Sequence, residues 1–376
     1  MIVDVERVAH GGVCVAHGPD GRVVFVRHSL PGERVRIVVT EERKAYLRGD
    51  AVEILQRSPA RIAPPCAWAG PGRCGGCDWQ HVEPAEQRRL KAHVVREQLL
   101  RLAKLDLDVE VEAAPGDARG LEWRTRMRFA VDNSGRAGLR RSRSHDVEPV
   151  NDCLIAVESV NVPDIVGRRW PRGAEVSVDV SSTGERAVAM GTPAELLTER
   201  AAGRDWRVPI GGFWQVHPAA AGILAEVVLA MCEPRGTDRG VDLYAGVGLF
   251  AGVLAPYVAT VVAVESDSRA VAAARLNLAD LENVTVVGRR VDAWITGDVC
   301  ADVVVLDPPR RGAGRAVVTR LVELSPRQVV YVACDPAALA RDVATFAAGG
   351  YRVAALRAFD LFPMTAHVEC VAVLQR

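Results

Sequence analysis

The chain has 376 residues, 49% apolar and 25% charged, the make-up of a globular protein long enough for two or three domains. Its 47 basic and 47 acidic residues cancel, so net charge argues against a polyanionic partner and the distribution of charge must decide. The longest apolar stretch, Ala219 to Cys232, is broken by Glu226 and is too short to span a bilayer. Met1 to His10 alternates apolar and charged residues, as a strand does and a signal peptide does not. A cytoplasmic protein without a membrane partner is expected.

Residues 1–57 read as five short strands: Val3 to Val8, Gly12 to Ala16, Val23 to Val26, Glu33 to Val39 and Ala45 to Leu55. Gly18-Pro19-Asp20-Gly21 and Pro31-Gly32 mark turns between them. Five strands with no helix predict a small OB-like barrel, used either to bind nucleic acid or as a structural β-domain.

A central domain is expected over 58–205. It opens on a Pro-, Gly- and Cys-rich loop in which Cys66, Cys74 and Cys77 are separated by seven and two residues, with Cys153 a distant fourth. Four thiolates suit an iron–sulfur cluster or a structural zinc, and spacing does not choose between them. Cys14, Cys232, Cys300 and Cys370 lie among apolar neighbours and are expected in cores. A helix begins at Glu83-Pro84-Ala85-Glu86, with Leu90, Val94, Leu99 and Leu102 as its apolar stripe. From Trp123 to Val131 the pattern alternates, putting Trp123, Thr125, Met127, Phe129 and Val131 on a core face. Arg124, Arg126 and Arg128 fall on the other face, and Asn133-Ser134-Gly135 turns the chain into a partner strand ending at Arg140. Between Arg119 and Arg143 eight arginines stand against only Glu122 and Asp132. Such a block is a phosphate-contacting surface or a solvated face.

From about Trp206 to residue 376, strands alternate with helices, which predicts a doubly wound, Rossmann-like α/β domain. Asp242-Leu243-Tyr244-Ala245-Gly246-Val247-Gly248 ends a strand in an acid and a Gly-x-Gly turn, and Glu265 ends the next strand. The third glycine of the dinucleotide fingerprint is missing, since Phe250 and Ala251 follow, which favours S-adenosylmethionine over a nicotinamide cofactor. Asp292 supports that placement, and Asp307-Pro308-Pro309-Arg310 closes another strand as a rim to the cleft. The apolar run Val329 to Val332 delivers Cys334 to an Asp335-Pro336 turn, where a thiol can act as a nucleophile and a later carboxylate, Glu369, as its base.

Together these motifs resemble the RNA 5-methyluridine (uracil-5) methyltransferases of tRNA and ribosomal RNA over nearly the whole chain, including a TRAM-like barrel and Phe213-Trp214-Gln215-Val216. The resemblance implies a C-terminal class I S-adenosylmethionine-dependent methyltransferase domain. It also implies a [4Fe–4S] cluster on Cys66, Cys74, Cys77 and Cys153, and a donor or base site using Gln215, Asp242, Tyr244, Gly246, Gly248, Glu265, Asp292 and Asp307. Cys334 and Glu369 are implied to be catalytic. The partner would be rRNA or tRNA, with Arg124, Arg126, Arg128, Arg140 and Phe213 as candidate contacts. The chain departs from the family at Asp335, where Asn is common, and at Ala333, His217 and Leu249. An ionised Asp335 would tend to raise the thiol's pKa.

The chemistry calls for both catalytic groups. Uracil carbon-5 is a poor nucleophile until a thiolate adds at carbon-6, and after methylation a base must remove its proton so that the sulfur can leave. Two other readings remain from sequence alone. One is a non-catalytic RNA-binding protein; the other is a methyltransferase acting on DNA or a small molecule. Oligomeric state is not encoded in any motif, and a monomer is compatible with everything above.

Overall fold

In the computed structural model, which describes residues 1–116, 119–297 and 299–376, the N-terminal alternation becomes five strands. They are β1 (Ile2–Ala9), β2 (Val13–His17), β3 (Val23–Arg27), β4 (Arg34–Glu42) and β5 (Tyr46–Gln56), closed into a barrel in the order β1-β2-β3-β5-β4. Val3, Val5, Val24, Val26, Val35 and Ile37 fill its interior. Trp79, Leu90 and Val94, from beyond the last strand, belong to the same core.

Leu90 and Val94 lie on α1 (Pro84–Gln98), whose start is fixed by Glu83 accepting from the Ala85 and Glu86 N–H groups. The helix passes into a π-turn over Leu99–Ala103 and stops at Lys104, whose φ is 59°. Val95 and Leu99, facing the other way, join the core of the largest sheet. The next strand, β6 (Val111–Ala113), is the edge of that sheet. The segment 84–113, expected in the central domain, therefore packs on the barrel and the C-terminal sheet. Alternating pattern does not reveal which of two cores a helix face will meet.

The central sheet comprises β7 (Arg126–Val131), β8 (Ala137–Arg140), β9 (Val147–Glu148), β10 (Glu175–Val180) and β11 (Arg186–Met190), ordered β11-β10-β7-β8-β9. Ile165 of α2 (Val162–Gly167) packs with Met127, Phe129, Val176 and Val178 in its core. A hairpin of β12 (Leu196–Ala201) and β13 (Arg204–Pro209) comes next and leans on the C-terminal domain: Arg204 pairs with Asp280, and the Arg207 N–H donates to Asn277 Oδ1 at 2.7 Å.

After α3 (Ala220–Cys232) the expected alternation runs β14 (Arg239–Leu243), α4 (Leu249–Leu254), β15 (Thr260–Glu265), α5 (Ser268–Asn277), β16 (Val284–Gly288), α6 (Val291–Trp294), β17 (Val303–Leu306), α7 (Arg315–Leu324), β18 (Gln328–Ala333) and α8 (Pro336–Ala348). The last strands are β19 (Arg352–Asp360), which local pattern does not predict, and β20 (Glu369–Gln375). The sheet order is β16-β15-β14-β17-β18-β20-β19-β6. Strands β16, β15, β14, β17 and β18 run parallel, and β20 is antiparallel to both its neighbours. Strand order reverses between β14 and β17, and at such a switch point the loops splay apart and leave a crevice. Cys14, Cys232 and Cys370 are buried, but Cys300 is exposed, because it lies in the loop before β17 and not on a strand. Among the described residues no helix is long and apolar enough to cross a membrane.

Candidate active site

Two neighbouring strand ends build one wall of the crevice. Asp242 is fully buried near the end of β14, and its Oδ2 accepts from the Ala251 N–H in α4 at 2.8 Å. Burial, reinforced by the nearby Asp307 and Glu265 charges, pushes its carboxyl up to about 8. Its Oδ1 is buried without a hydrogen-bond partner among the described residues. The turn after β14 takes positive φ at Tyr244 (64°), Gly246 (55°) and Gly248 (96°). A Cβ on Gly248 would come within 2.7 Å of Leu278, so glycine is required there by both backbone and space. Glu265, ending β15, grips this turn: its Oε2 accepts from the Gly246 N–H at 3.0 Å and its Oε1 from the Asp267 N–H at 2.7 Å. Tyr244 is half-buried and its phenol is pushed up to about 12 by that burial. Gln215 is half-buried. Asp292 is exposed and paired with Arg290 at 2.5 Å. A buried acid with an unused oxygen, beside a backbone turn held open by glycine, fits a small polar ligand such as S-adenosylmethionine.

The nucleophile candidate stands at the neighbouring strand ends. In the β18–β20 ladder Ala333 pairs with Cys370, so one step further Cys334 and Glu369 lie side by side. Asp307, just past β17, completes the group. Glu369 is 3% exposed, and its carboxyl is raised well above the ordinary range by burial and by Asp307. Asp307 is raised by burial too. The Cys334 thiol is pushed up to about 12 by burial, then by Glu369, Asp307 and Asp335, with Arg310 opposing them. Burial thus works against charge on Glu369, Asp307 and the thiol alike, so an ionised Glu369 in this recess is a stronger base than an exposed carboxylate.

Two supporting residues stand inside recognised motifs without a role that the sequence assigns. Arg310 Nη2 donates to His367 Nε2 at 3.3 Å. The imidazole is pushed down to about 4, chiefly by burial and then by Arg310, so it is a neutral acceptor that holds the guanidinium over the pocket. Behind them the buried Lys91 of α1 pairs with Asp360 at 2.5 Å and donates to the Phe362 carbonyl at 3.0 Å. That anchors the loop leading to Glu369. Sequence carries no signal for this pair, since its partners are 269 positions apart.

Cys66, Cys74, Cys77 and Cys153 converge on one cavity of about 330 Å³, lined also by Trp68, Gln80 and Arg124. Burial raises the thiols of Cys74, Cys77 and Cys153, and their mutual proximity adds to it. The Gly76 N–H donates to Cys74 Sγ and Gln80 Nε2 to Cys77 Sγ, each at 3.4 Å. Among the described residues no three ligand-type side chains form a closed metal site. The donor set and the shared cavity nevertheless fit a thiolate-bound group.

The basic strand divides. Arg128 is exposed, Arg140 is exposed on β8 and Arg124 is half-buried. Arg126, by contrast, is buried between Asp179 and Glu199 and donates to the Gly212 carbonyl, so it holds the sheet to the loop before α3 and is withdrawn from solvent. Phe213 is 71% exposed, whereas Trp214 packs in the core beside Trp206.

Comparison with known proteins agrees with this layout. Residues 1–52 match the TRAM domain and residues 289–376 the tRNA (uracil-5-)-methyltransferase family. An "uncharacterized RNA methyltransferase" of Streptomyces coelicolor is 48% identical over 99% of this chain and 92% of its own length. The 23S rRNA (uracil(1939)-C(5))-methyltransferase of Chromohalobacter salexigens is 32% identical over 100% of this chain and 89% of its own. The crystal structure of the Pyrococcus abyssi tRNA (uracil-54, C5)-methyltransferase, solved with S-adenosyl-L-homocysteine, superposes with a TM-score of 0.74. It is 22% identical and the match covers 100% of both chains, a likeness of fold.

Proposed function

The chain belongs to the RNA (uracil-5-)-methyltransferase family, and on that premise we propose that it transfers a methyl group from S-adenosylmethionine to carbon-5 of a uridine in rRNA or tRNA. The observation that carries the reading is the β18–β20 register, whose last pair, Ala333 with Cys370, brings Cys334 and Glu369 next to each other at the open end of a sheet whose switch point holds Asp242, Gly246 and Glu265.

The Cys334 sulfur adds to uracil carbon-6, and carbon-5 becomes electron-rich. When bound, S-adenosylmethionine supplies the electrophilic methyl group. Glu369 then takes the carbon-5 proton, the carbon–sulfur bond breaks and the ring regains its double bond. Arg310, facing the sulfur from the His367 side, offsets the negative charge that Cys334 acquires. Glu265 and Asp242 would hold the donor, and Asp307 lies between donor site and sulfur. A uridine must leave its stack to reach this recess, and we assign the exposed ring of Phe213 to stack on it. We assign the surface of Arg124, Arg128 and Arg140 to phosphate contacts.

The four cysteines would hold the [4Fe–4S] cluster, which staples the loop-rich stretch 66–80 to Cys153. No redox step is needed in the reaction. Iron with visible absorbance after anaerobic purification supports this assignment; stoichiometric zinc without iron refutes it.

The test uses two variants with labelled S-adenosylmethionine and bulk RNA. Cys334→Ala should incorporate no label. Glu369→Gln should accumulate a protein–RNA adduct that survives a denaturing gel. Free, unmodified RNA alone from the second variant would remove Glu369 from its role.

A further inference from the structure

The turn joining β1 to β2 reaches across the domain boundary and touches both catalytic loops. His10 Nε2 lies 2.9 Å from Asp335 Oδ2, beside the nucleophile. Two residues on, a Cβ on Gly12 would stand 2.8 Å from the Ala366 Cβ, three positions before Glu369. The second oxygen of Asp335 is also committed, accepting from the Ala338 N–H at 2.7 Å as the cap of α8. Asp335 is thus clamped between the barrel and a helix.

We propose that His10 is a positioning residue for the reaction: its bond to Asp335 fixes the turn that presents Cys334 and offsets the charge beside the sulfur. Seating of the barrel is thereby reported to the nucleophile. The inference rests on Cys334 being that nucleophile.

Every charged group around the two atoms enters the balance. Asp335 faces His10 and, from α8, Arg341. Cys334 faces Glu369, Asp307, Asp335 and Arg310. Three carboxyls oppose a thiolate and one guanidinium favours it. The N–H that His10 donates to Asp335 draws that carboxylate's charge towards the imidazole, whereas a side chain that cannot donate leaves the charge to act on the sulfur and the turn unheld.

The experiment tracks iodoacetamide alkylation of Cys334 at pH 8.5 by peptide mass mapping in the full-length protein, in a two-by-two cycle. His10→Ala, which removes the donor to Asp335, should slow alkylation about three- to tenfold, the consequence of a thiol shifted up by about half a unit to one unit. In an Asp335→Asn background the same substitution should change nothing, and His10→Gln, whose amide can still donate to Asp335, should retain the original rate. Equal slowing in both backgrounds, or none in either, would overturn the proposal. Thermal melting of each variant separates lost charge from lost fold. Should Cys334→Ala still methylate RNA, the underlying reading fails regardless. Should it be inactive while His10→Ala alkylates normally, the positioning role of His10 alone fails.

Discussion

Two of the places that withdraw cysteine sulfur from water do so in different company. At the end of β18 a single thiol sits among Glu369, Asp307 and Asp335 with one arginine opposing them. In the central domain four thiols share one cavity, and the charges that resist ionisation of Cys77 are those of Cys153, Cys74 and Cys66. Both environments raise the thiol by burial first. The charges ranked after burial separate them: carboxylates and one arginine surround the lone sulfur, whereas each clustered sulfur has other sulfurs for neighbours, in keeping with the nucleophile and ligand roles proposed above.

The contrast can be broken most sharply at Cys334. Replacing it by Ala should lower methylation at least about a thousandfold, with melting temperature nearly unchanged. Cys77→Ser should do the reverse in kind, removing iron from the purified protein and lowering the melting point of a chain whose Cys334 still forms adducts. A next effect concerns the scaffold behind the nucleophile. Lys91→Met leaves Asp360 buried without its partner and should cost roughly 3–5 kcal/mol in denaturant unfolding.

A smaller effect is expected in pH dependence. Folding raises the Asp242 carboxyl to about 8, so the native state holds a proton that the unfolded chain releases near its ordinary value. Stability of the ligand-free protein should therefore be fullest below that ordinary value and decline as pH rises towards 8. Asp242→Asn should flatten the slope in melting curves taken between about pH 5 and 8. The smallest is at the surface. Arg128→Ala should weaken RNA binding a few-fold and reduce its salt dependence, whereas Arg126→Ala should act on stability instead.

Much of this is legible in the chain. Turn pairs such as Pro31-Gly32 and strict alternation locate the barrel strands, and apolar runs ending in Asp242, Glu265, Asp307 and Cys334 locate the parallel strand ends. Local pattern says nothing about partners distant in sequence. It places Arg126 on the same face as Arg128, because alternation cannot know that Asp179 and Glu199 wait on the buried side. It leaves Arg310 and His367 without roles, because their contact joins residues 57 positions apart. The strand β19 escapes because its outer half is exposed and its pattern irregular, with a register shift between Val353 and Ala355.

Helix α1 gives Leu90 and Val94 to the barrel interior and Val95 and Leu99 to the core of the eight-stranded sheet. A rod whose two flanks are wetted or dried together cannot let one neighbour melt while the other stays intact. Calorimetry should accordingly show a single endotherm spanning both, and a chain trimmed of its barrel would display a sticky, aggregation-prone flank in place of a free-standing catalytic fragment.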